Sequence, residues 1–186
     1  MTDLLRVKIT DIEESEYLKE YNRLSQLNIK RISRMRTDDK RRSLAGLILL
    51  RRLINKNFKR DGYTFSYNEN GKPLLDFCCF SISHSGEYSV CVVSEDPVGV
   101  DIELVRPIAI KNDYRLFTLE EIQYVNSDEN LHNNRFFEVW TKKEAYIKMK
   151  GLNLSLGAGV NTVKIKDAVF ETEFTDGYMQ SLCKNI

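Results

Sequence analysis

The chain has 186 residues, of which 42% are hydrophobic and 30% charged, and its formal net charge is +1. This length suits one domain or two small halves that share a core, and the composition is ordinary for a soluble globular protein. The near-neutral charge disfavours a general nucleic-acid-binding protein, because that class usually carries a strong basic excess.

Neither a membrane span nor a disulfide framework is predicted. No apolar run is long enough to cross a bilayer, and the first residues, MTDLLR, do not follow the pattern of a signal peptide. We therefore expect a cytoplasmic protein without membrane contact. The four cysteines (Cys78, Cys79, Cys91 and Cys183) have no CxxC spacing and lie in or beside apolar stretches. They are expected to be buried thiols and not zinc ligands.

The first part of the chain predicts a strand, two helices and then three strands. The opening strand covers residues 4–10, and an amphipathic helix follows at about 13–27. A second helix begins near Thr37, and its body at residues 44–50 is apolar nearly all round, which predicts a buried central helix. Strands are predicted at 63–67, 77–83 and 88–94, with a turn at residues 70–73, where Asn-Gly and Pro both interrupt regular structure.

The second part repeats this order loosely. A strand at 98–103 precedes helices at 118–126 and 136–148, and two strands are predicted at 160–165 and 178–183. No clear residue identity relates the two parts, so the repeat is one of element order alone. We predict an α+β fold, a pseudo-twofold pair of similar α/β subdomains at residues 1–97 and 98–186. Each is a small, mostly antiparallel sheet packed with helices, and the active site lies in the seam.

The helix at 136–148 carries two charged residues on its most apolar face. At about 100° per residue, that face combines a carboxylate and an ammonium with aromatic and aliphatic residues, namely Phe137, Trp140, Glu144, Ile147 and Lys148. Inward polar groups are costly unless an interaction compensates them. One interpretation is a plain ion pair between Glu144 and Lys148 at i, i+4; the other is a functional site.

The strand at 98–103 alternates between apolar and acidic residues. Its valines and isoleucine face one side, and Asp101 and Glu103 face the other, with Cα atoms about 7 Å apart. Two such carboxylates can hold Mg²⁺, which fills its shell with water and phosphate oxygens, or they can simply form an exposed acidic face. Glu144 as a third carboxylate favours the metal. The lack of His or Cys in the set disfavours zinc.

Other polar residues remain open to two interpretations. The basic run from Lys30 to Arg42 is either a solvated face or a phosphate contact. His84 at a strand end is either polar surface or part of an anion site with Lys72, and nothing nearby resembles the nucleophile elbow of a serine hydrolase. Thr118 and Glu121 have capping-box spacing, which indicates a structural role for Glu121 at a helix start.

Together these stretches resemble the 4′-phosphopantetheinyl transferase superfamily, in its larger, surfactin-synthetase-activating branch. The motifs are GKP at 71–73 with FSISHS at 80–85, VGVDIE at 98–103, and WTKKEAYIK at 140–148. Each is short and moderately specific, whereas all three in this order and spacing are highly specific. The resemblance runs from about residue 30 to the end. The chain is short for this branch, which we interpret as a trimmed edge and not a missing half.

The resemblance implies a magnesium-dependent transferase of the holo-acyl-carrier-protein synthase type. Such enzymes move the 4′-phosphopantetheine arm of coenzyme A to a serine of an apo acyl or peptidyl carrier protein and release 3′,5′-ADP. The implied metal ligands are Asp101, Glu103 and Glu144. The implied catalytic residues are Glu144, as the acceptor of the serine proton, and Lys148. The implied contacts to coenzyme A are Lys30, Arg42, Lys72, Ser83, His84, Lys143 and Lys148.

Several alternatives stay open at the level of sequence. The chain could be a non-catalytic module that binds coenzyme A or a carrier protein, although the intact Asp101, Glu103, Glu144 and Lys148 disfavour this. The repeated element order favours a monomer over the compact trimeric branch of the family. The carrier could serve fatty-acid, polyketide or nonribosomal-peptide biosynthesis. Whether Glu144 acts directly or through a metal-bound water is also undecided.

Overall fold

A computed structural model describes residues 1–108, 113–153 and 159–186, with the backbone alone for Leu27 and Asp113. It confirms an α+β fold of small antiparallel sheets packed with helices. The helices are α1 (Glu14–Asn22), α2 (Gln26–Ser33), α3 (Thr37–Phe58), α4 (Leu119–Val125) and α5 (His132–Lys150). The strands are β1 (Thr2–Lys8), β2 (Ser66–Tyr67), β3 (Pro73–Leu74), β4 (Cys79–Ser85), β5 (Tyr88–Ser94), β6 (Val98–Leu104), β7 (Ala168–Thr175) and β8 (Tyr178–Asn185).

Two three-stranded antiparallel sheets form the framework. The first has the order β1-β5-β4 and the second the order β6-β8-β7, while β2 and β3 make a separate short ribbon. All strands of the first sheet precede residue 97, and all strands of the second follow it. The pseudo-twofold relation between residues 1–97 and 98–186 nevertheless stays a prediction.

The predicted central helix is α3, and the core forms around it. Its apolar body is buried against the first sheet on one side and against α1 and α2 on the other. Leu49, Leu50, Leu53 and Ile54 are each no more than 1% exposed. Because α3 is apolar over most of its circumference, it contacts protein on several sides and fixes the sheet that carries β4.

Two edge strands, β4 and β6, bring the sheets together through serine side chains. Ser81 Oγ accepts from the Val100 amide at 3.1 Å, and Ser85 Oγ accepts from the Leu104 amide at 3.1 Å. The constant offset of 19 residues means that the two strands run parallel. Among the described strands, β6 pairs with β8 on one edge only. On its other edge, the serine hydroxyls accept the hydrogen bonds that a further strand would otherwise accept.

Two tyrosines join the ends of the sheets reciprocally. The rings of Tyr88 and Tyr178, each the first residue after a hairpin turn, meet edge to face with centroids 4.9 Å apart. The Glu87 amide donates to the Tyr178 hydroxyl at 3.0 Å, and the Tyr88 hydroxyl donates to Asp176 at 3.3 Å. Each tyrosine therefore holds the turn of the other hairpin.

The structure corrects three predicted elements. Residues 160–165 form turns and no strand; the strand that pairs with β8 is β7, at Ala168–Thr175. The β7–β8 turn is Asp176-Gly177, with φ of 56° and 82°, a dipeptide that suits a tight hairpin. The predicted helix at 13–27 is split, because Ser25 caps a new helix by accepting from the Asn28 amide. The strand predicted at 63–67 is only Ser66–Tyr67.

Candidate active site

A cavity of about 400 Å³ lies where the two sheets meet. Its wall is formed by side chains from α2, α3, the β2–β3 ribbon, β4, β6 and α5. Both parts of the chain therefore contribute to one concave surface, as expected for a ligand site. The predicted residues that line it are Ser83, His84, Asp101, Glu103, Glu144 and Lys148.

Strand alternation places the two acidic residues of β6. Val98, Val100 and Ile102 are no more than 1% exposed and belong to the core. Asp101 and Glu103 therefore point to the opposite side, where both line the cavity. The predicted orientation of this strand is thus the observed one.

Asp101 forms the centre of a buried polar network. Its Oδ1 accepts from Ser83 Oγ at 2.7 Å and from Lys148 Nζ at 2.6 Å, and the Lys148 ammonium also lies 3.0 Å from Ser83 Oγ. Glu103 accepts from Ser85 Oγ at 2.8 Å. Serines of β4 thereby orient both carboxylates of β6 toward the cavity. Lys148 forms its ion pair with Asp101. The plain i, i+4 interpretation requires a pair with Glu144, one turn before Lys148, and that pair is not formed.

Glu144 lies on α5, and no group among the described residues donates a hydrogen bond to its carboxylate. Burial raises its pKa to about 7, and the neighbouring charges of Asp101 and Glu103 act in the same direction, against the opposing effect of Lys148. The pKa of Glu103 is also raised, first by burial and then by Asp101. The three carboxylates thus repel one another across the cavity.

These residues fit a hard cation chemically, although no described group of three or more His, Cys, Asp or Glu side chains is arranged to hold a metal ion. The Oδ2 atom of Asp101 is buried and has no hydrogen-bond partner, which is costly for a carboxylate oxygen. A bound divalent cation would satisfy that atom and relieve the repulsion from Glu103 and Glu144. Carboxylate oxygens suit magnesium better than zinc.

Three predicted cationic residues do not line the cavity. Lys72 Nζ donates to the carbonyls of Lys148, at 2.5 Å, and Met149, so it caps the end of α5; burial lowers its pKa. Arg42 donates to the Gly86 carbonyl at 2.9 Å and pairs with Asp39. Lys30 is exposed on α2 and does not line the cavity.

The structure does not bring Lys143 to the cavity. Its side chain is 1% exposed and its Nζ lies 2.9 Å from Glu121, on another side of α5. Glu121 makes the predicted capping box with Thr118. The phosphate contact that the resemblance implies for Lys143 therefore has no counterpart in the observed geometry.

Several lining residues were not singled out from the sequence. Asn28, Arg31, Tyr67 and Met35 all line the cavity. Arg31 belongs to the basic run and lies on α2, a helix that the sequence prediction does not separate from the preceding one. Arg31 lines the cavity, whereas Lys30 is exposed outside it. A Ser three residues before Asn28 is the cap signal that could have located the start of α2.

The predictions on membrane spans and on the cysteines concern residues outside the cavity. No helix in the described part of the chain combines the length and apolarity that crossing a membrane requires. The Cys78, Cys91 and Cys183 thiols are buried, Cys79 is half-buried, and all four are free. The prediction of buried thiols is therefore confirmed for three of the four cysteines, and Cys79 is only partly buried.

Comparison with known proteins gives a consistent family assignment. A sequence model described as the 4′-phosphopantetheinyl transferase superfamily matches residues 97–180. The chain is 36% identical to the 4′-phosphopantetheinyl transferase gsp of Aneurinibacillus migulanus, over 78% of this chain and 69% of that protein. It is 32% identical to the 4′-phosphopantetheinyl transferase Sfp of Bacillus subtilis, over 76% and 66%, and 33% identical to psf-1 of Bacillus pumilus, over 69% and 58%.

These relatives are longer than the matched region, since the chain spans between 58% and 69% of their length. The similarity nevertheless covers the strand with Asp101 and Glu103 and the helix with Glu144 and Lys148. The chain therefore belongs to the 4′-phosphopantetheinyl transferase superfamily, in the larger, surfactin-synthetase-activating branch.

Proposed function

We propose that this protein transfers the 4′-phosphopantetheine arm of coenzyme A to a serine of an apo carrier protein and releases 3′,5′-ADP. The observation that carries the proposal is the convergence of Asp101, Glu103, Glu144 and Lys148 on one cavity. Family membership supports the reaction, and the chemistry of these four groups supports catalysis over simple binding. A binding module does not need a carboxylate with a pKa near 7 beside an ammonium.

We assign the proton transfer to Glu144. The carrier serine oxygen forms a bond to the phosphorus of the pantetheine phosphate, and the bond from that phosphorus to the bridging oxygen breaks. The serine proton passes to Glu144, directly or through a water, and the electron pair leaves with 3′,5′-ADP. With a pKa of about 7, a substantial fraction of Glu144 is deprotonated near neutral pH and can act as a base. The same pKa makes the carboxylate more basic than an ordinary glutamate, which favours transfer of the serine proton.

Cations of the chain would neutralise the charge of the leaving group. Lys148 reaches over Asp101 into the cavity and can neutralise or protonate the leaving phosphate. Arg31, Ser83 and His84 line the same wall and can donate to phosphate oxygens. Burial lowers the pKa of His84 below 6.5, so at neutral pH it would bind as a neutral N–H donor. Lys72, Arg42 and Lys30 stay candidates for outer contacts.

We assign magnesium to Asp101, Glu103 and Glu144. When bound, the ion would polarise the phosphate that the serine attacks. The unpartnered Oδ2 of Asp101 and the raised pKa of Glu144 support this assignment. In the absence of the ion, Ser83 and Lys148 hold Asp101 in place.

Mass spectrometry of several apo carrier proteins tests the function. Each carrier is incubated with this protein, coenzyme A and magnesium, and we expect a mass increase of one phosphopantetheine group on at least one of them. A carrier with Ser→Ala at the acceptor position and a reaction with a chelator are the matched controls. Binding of coenzyme A without any mass increase on fatty-acid, polyketide and peptide carriers would instead favour the non-catalytic module.

We also propose a monomer with the cavity in the seam between residues 1–97 and 98–186. The serine contacts between β4 and β6 and the reciprocal tyrosines build the cavity within one chain. Sedimentation or light scattering should therefore give the mass of one chain. An obligatory trimer would contradict the proposal.

A further inference from the structure

The most deeply buried charge on α5 belongs to Lys143, on a side of the helix that the proposed reaction does not use. Its side chain is 1% exposed and that of its partner Glu121 is 0% exposed, with 2.9 Å between Nζ and Oε2. The ammonium also donates to the Val160 carbonyl. The ion pair thus joins α5, α4 and the segment after residue 159.

Glu121 is saturated with donors. Its Oε2 also accepts from the Thr118 amide at 2.8 Å, and its Oε1 accepts from the Thr162 amide at 2.9 Å and the Thr162 hydroxyl at 2.7 Å. Burial alone would raise the pKa of Glu121, but these hydrogen bonds and Lys143 bring it below its ordinary value. Separating the two side chains would leave an unpaired charge in the interior, which is strongly unfavourable. The ion pair therefore holds Lys143 in this position.

Lys143 and Glu144 are neighbours on α5, so their side chains leave the helix about 100° apart. With side chains, a helix is about 10–12 Å across, so a carboxylate at its surface moves about 1 Å for every ~10° of rotation. The rotation of α5 about its axis therefore decides whether Glu144 meets Asp101 and Glu103.

Other contacts of α5 locate the helix against the second sheet. Thr141 Oγ1 and Ser181 Oγ lie 2.8 Å apart. A Cβ at Gly99 would fall within 3 Å of the Ala145 carbonyl and the Met149 amide, so α5 rests directly on β6. These contacts lie on the β6 and β8 side. Toward α4, the helix packs through Phe136 and Val139 against Val125. The ion pair of Lys143 with Glu121 adds a buried polar contact on that side.

We infer that Lys143 and Glu121 are positioning residues for Glu144, and that together they set the rotation of α5 and hence the geometry of the transfer. This inference rests on the proposed function. It replaces the contact between Lys143 and a coenzyme A phosphate that the family resemblance implies, and it gives Glu121 a part in turnover without contact to substrate.

The test is a double-mutant cycle with Lys143→Met, Glu121→Gln and the double variant. Gln removes the charge and keeps an oxygen that can accept from the Thr162 amide and hydroxyl. We expect each single variant to lower kcat about 10- to 100-fold, since a misplacement of about 1 Å can cost that much, with a change in KM for coenzyme A below about 3-fold. The double variant should turn over at least as fast as either single variant, because no charge is left unpaired.

Lys142→Met is the matched control. Lys142 is the adjacent lysine, and it pairs with Glu138 at 2.6 Å with both side chains 25% exposed. Its loss should leave kcat and KM within about 2-fold, as expected for a half-exposed i, i+4 pair. A loss in this variant equal to that of Lys143→Met would overturn the inference, because the effect would then follow from any lysine on the helix.

A direct phosphate contact predicts a different pattern. Lys143→Met would then raise KM for coenzyme A about 10-fold or more, Glu121→Gln would leave it unchanged, and the double variant would be no better than Lys143→Met. That pattern would overturn the inference. So would additive losses of kcat from the two single variants.

Binding measurements separate this inference from the proposed function. Trp140 is the single tryptophan of the chain and lines the cavity, so its emission can report coenzyme A and Mg²⁺ binding without turnover. We expect both single variants to bind Mg²⁺ about 10-fold more weakly, with the double variant closer to the parent. If the parent loads no carrier, the proposed function fails, yet this pattern of Mg²⁺ affinities still supports or overturns the positioning role.

Discussion

Two glutamates that contact or belong to α5 show opposite electrostatic behaviour. Glu121 is fully buried, accepts four hydrogen bonds counting that from Lys143, and has a lowered pKa. Glu144 is half-buried, its carboxylate accepts no hydrogen bond from the described residues, and its pKa is raised to about 7. Burial pushes both pKa values upward, so the difference comes from the donors that surround Glu121 and are missing around Glu144.

A structural carboxylate and a functional one differ here in how many hydrogen-bond donors surround them. The carboxylate oxygens of Glu121 already accept hydrogen bonds from the protein, so they are not available to bind a ligand. Glu144 and the Oδ2 of Asp101 keep their lone pairs, and they face a cavity where a cation or a substrate proton can use them. Lone pairs left without donors, and not burial itself, mark the reactive side of α5.

Of the changes considered, Glu144→Gln should reduce turnover the most. Gln keeps the size of the side chain but removes the charge and the strong proton acceptor. We expect carrier loading to fall about 100- to 10,000-fold, while the protein stays folded. Rates with an apo carrier protein and melting temperature together check this. A variant that melts early but loads the carrier at the parent rate would show that Glu144 is structural, as Glu121 is.

A smaller loss is expected from Asp101→Ala. This change removes a carboxylate from the cavity without removing a core side chain, and it frees Lys148 and Ser83 from their shared acceptor. We expect a folded protein with about 100-fold lower activity at ordinary magnesium concentration, on the scale of losing one electrostatic group. Magnesium titration of the variant checks the assignment. Normal activity at the ordinary concentration would exclude Asp101 as a ligand.

The smallest effect is on stability, and its sign should differ between the two glutamates. Glu144 has a pKa raised from 4.5 to about 7, so its contribution to folding is full below about pH 4.5 and is lost as pH rises through 7. At pH 8 Glu144→Gln should therefore be more stable than the parent, by at most about 3 kcal/mol. The advantage should shrink as pH falls toward 4.5.

Glu121→Gln should show the opposite trend. Because the pKa of Glu121 is lowered, its contribution to folding is full above about pH 4.5 and is lost as pH falls through the lower folded value. The variant should be less stable than the parent at pH 8, and the difference should shrink in acid. Melting temperatures of both variants between pH 3 and pH 8.5 measure the two trends. Parallel pH profiles would remove the distinction between the two glutamates.

Much of the fold was predictable where the local pattern is strong. Residues 88–94 form the strand predicted for them, and the alternation at 98–103 placed Asp101 and Glu103 on the correct side. The strand β7 was missed although its burial alternates from Ala168 to Thr172. Its apolar residues do not mark one buried face, because Val169 lies on the exposed face and Phe174 is exposed near the end of the strand. Its signal lay in the turn, Asp176-Gly177.

The site was predictable in its carboxylates but not in all of its cations. Helical periodicity turned Glu144 and Lys148 inward, and both line the cavity. Helical periodicity does not predict which residue a buried lysine contacts. The Lys143 ammonium donates to Glu121, which lies 22 residues earlier in the chain. Likewise, Arg31 and not Lys30 lines the cavity. A basic run does not indicate which of its cations faces inward when the helix that carries it, here Gln26–Ser33, is not identified.

The reciprocal contact of Tyr88 and Tyr178 has a consequence for how the chain folds during synthesis. Glu87 finds its partner 91 residues later, and the edge of β6 that pairs with β8 stays open until Tyr178–Asn185 has been made. At about 5–20 residues per second, a ribosome needs several seconds to supply that partner. Until then the nascent chain carries an open strand edge, which is a site for pairing with other chains. Contacts of such long sequence separation also slow folding. The same tyrosines that hold the finished sheets together therefore set the earliest moment during synthesis at which the cavity can form.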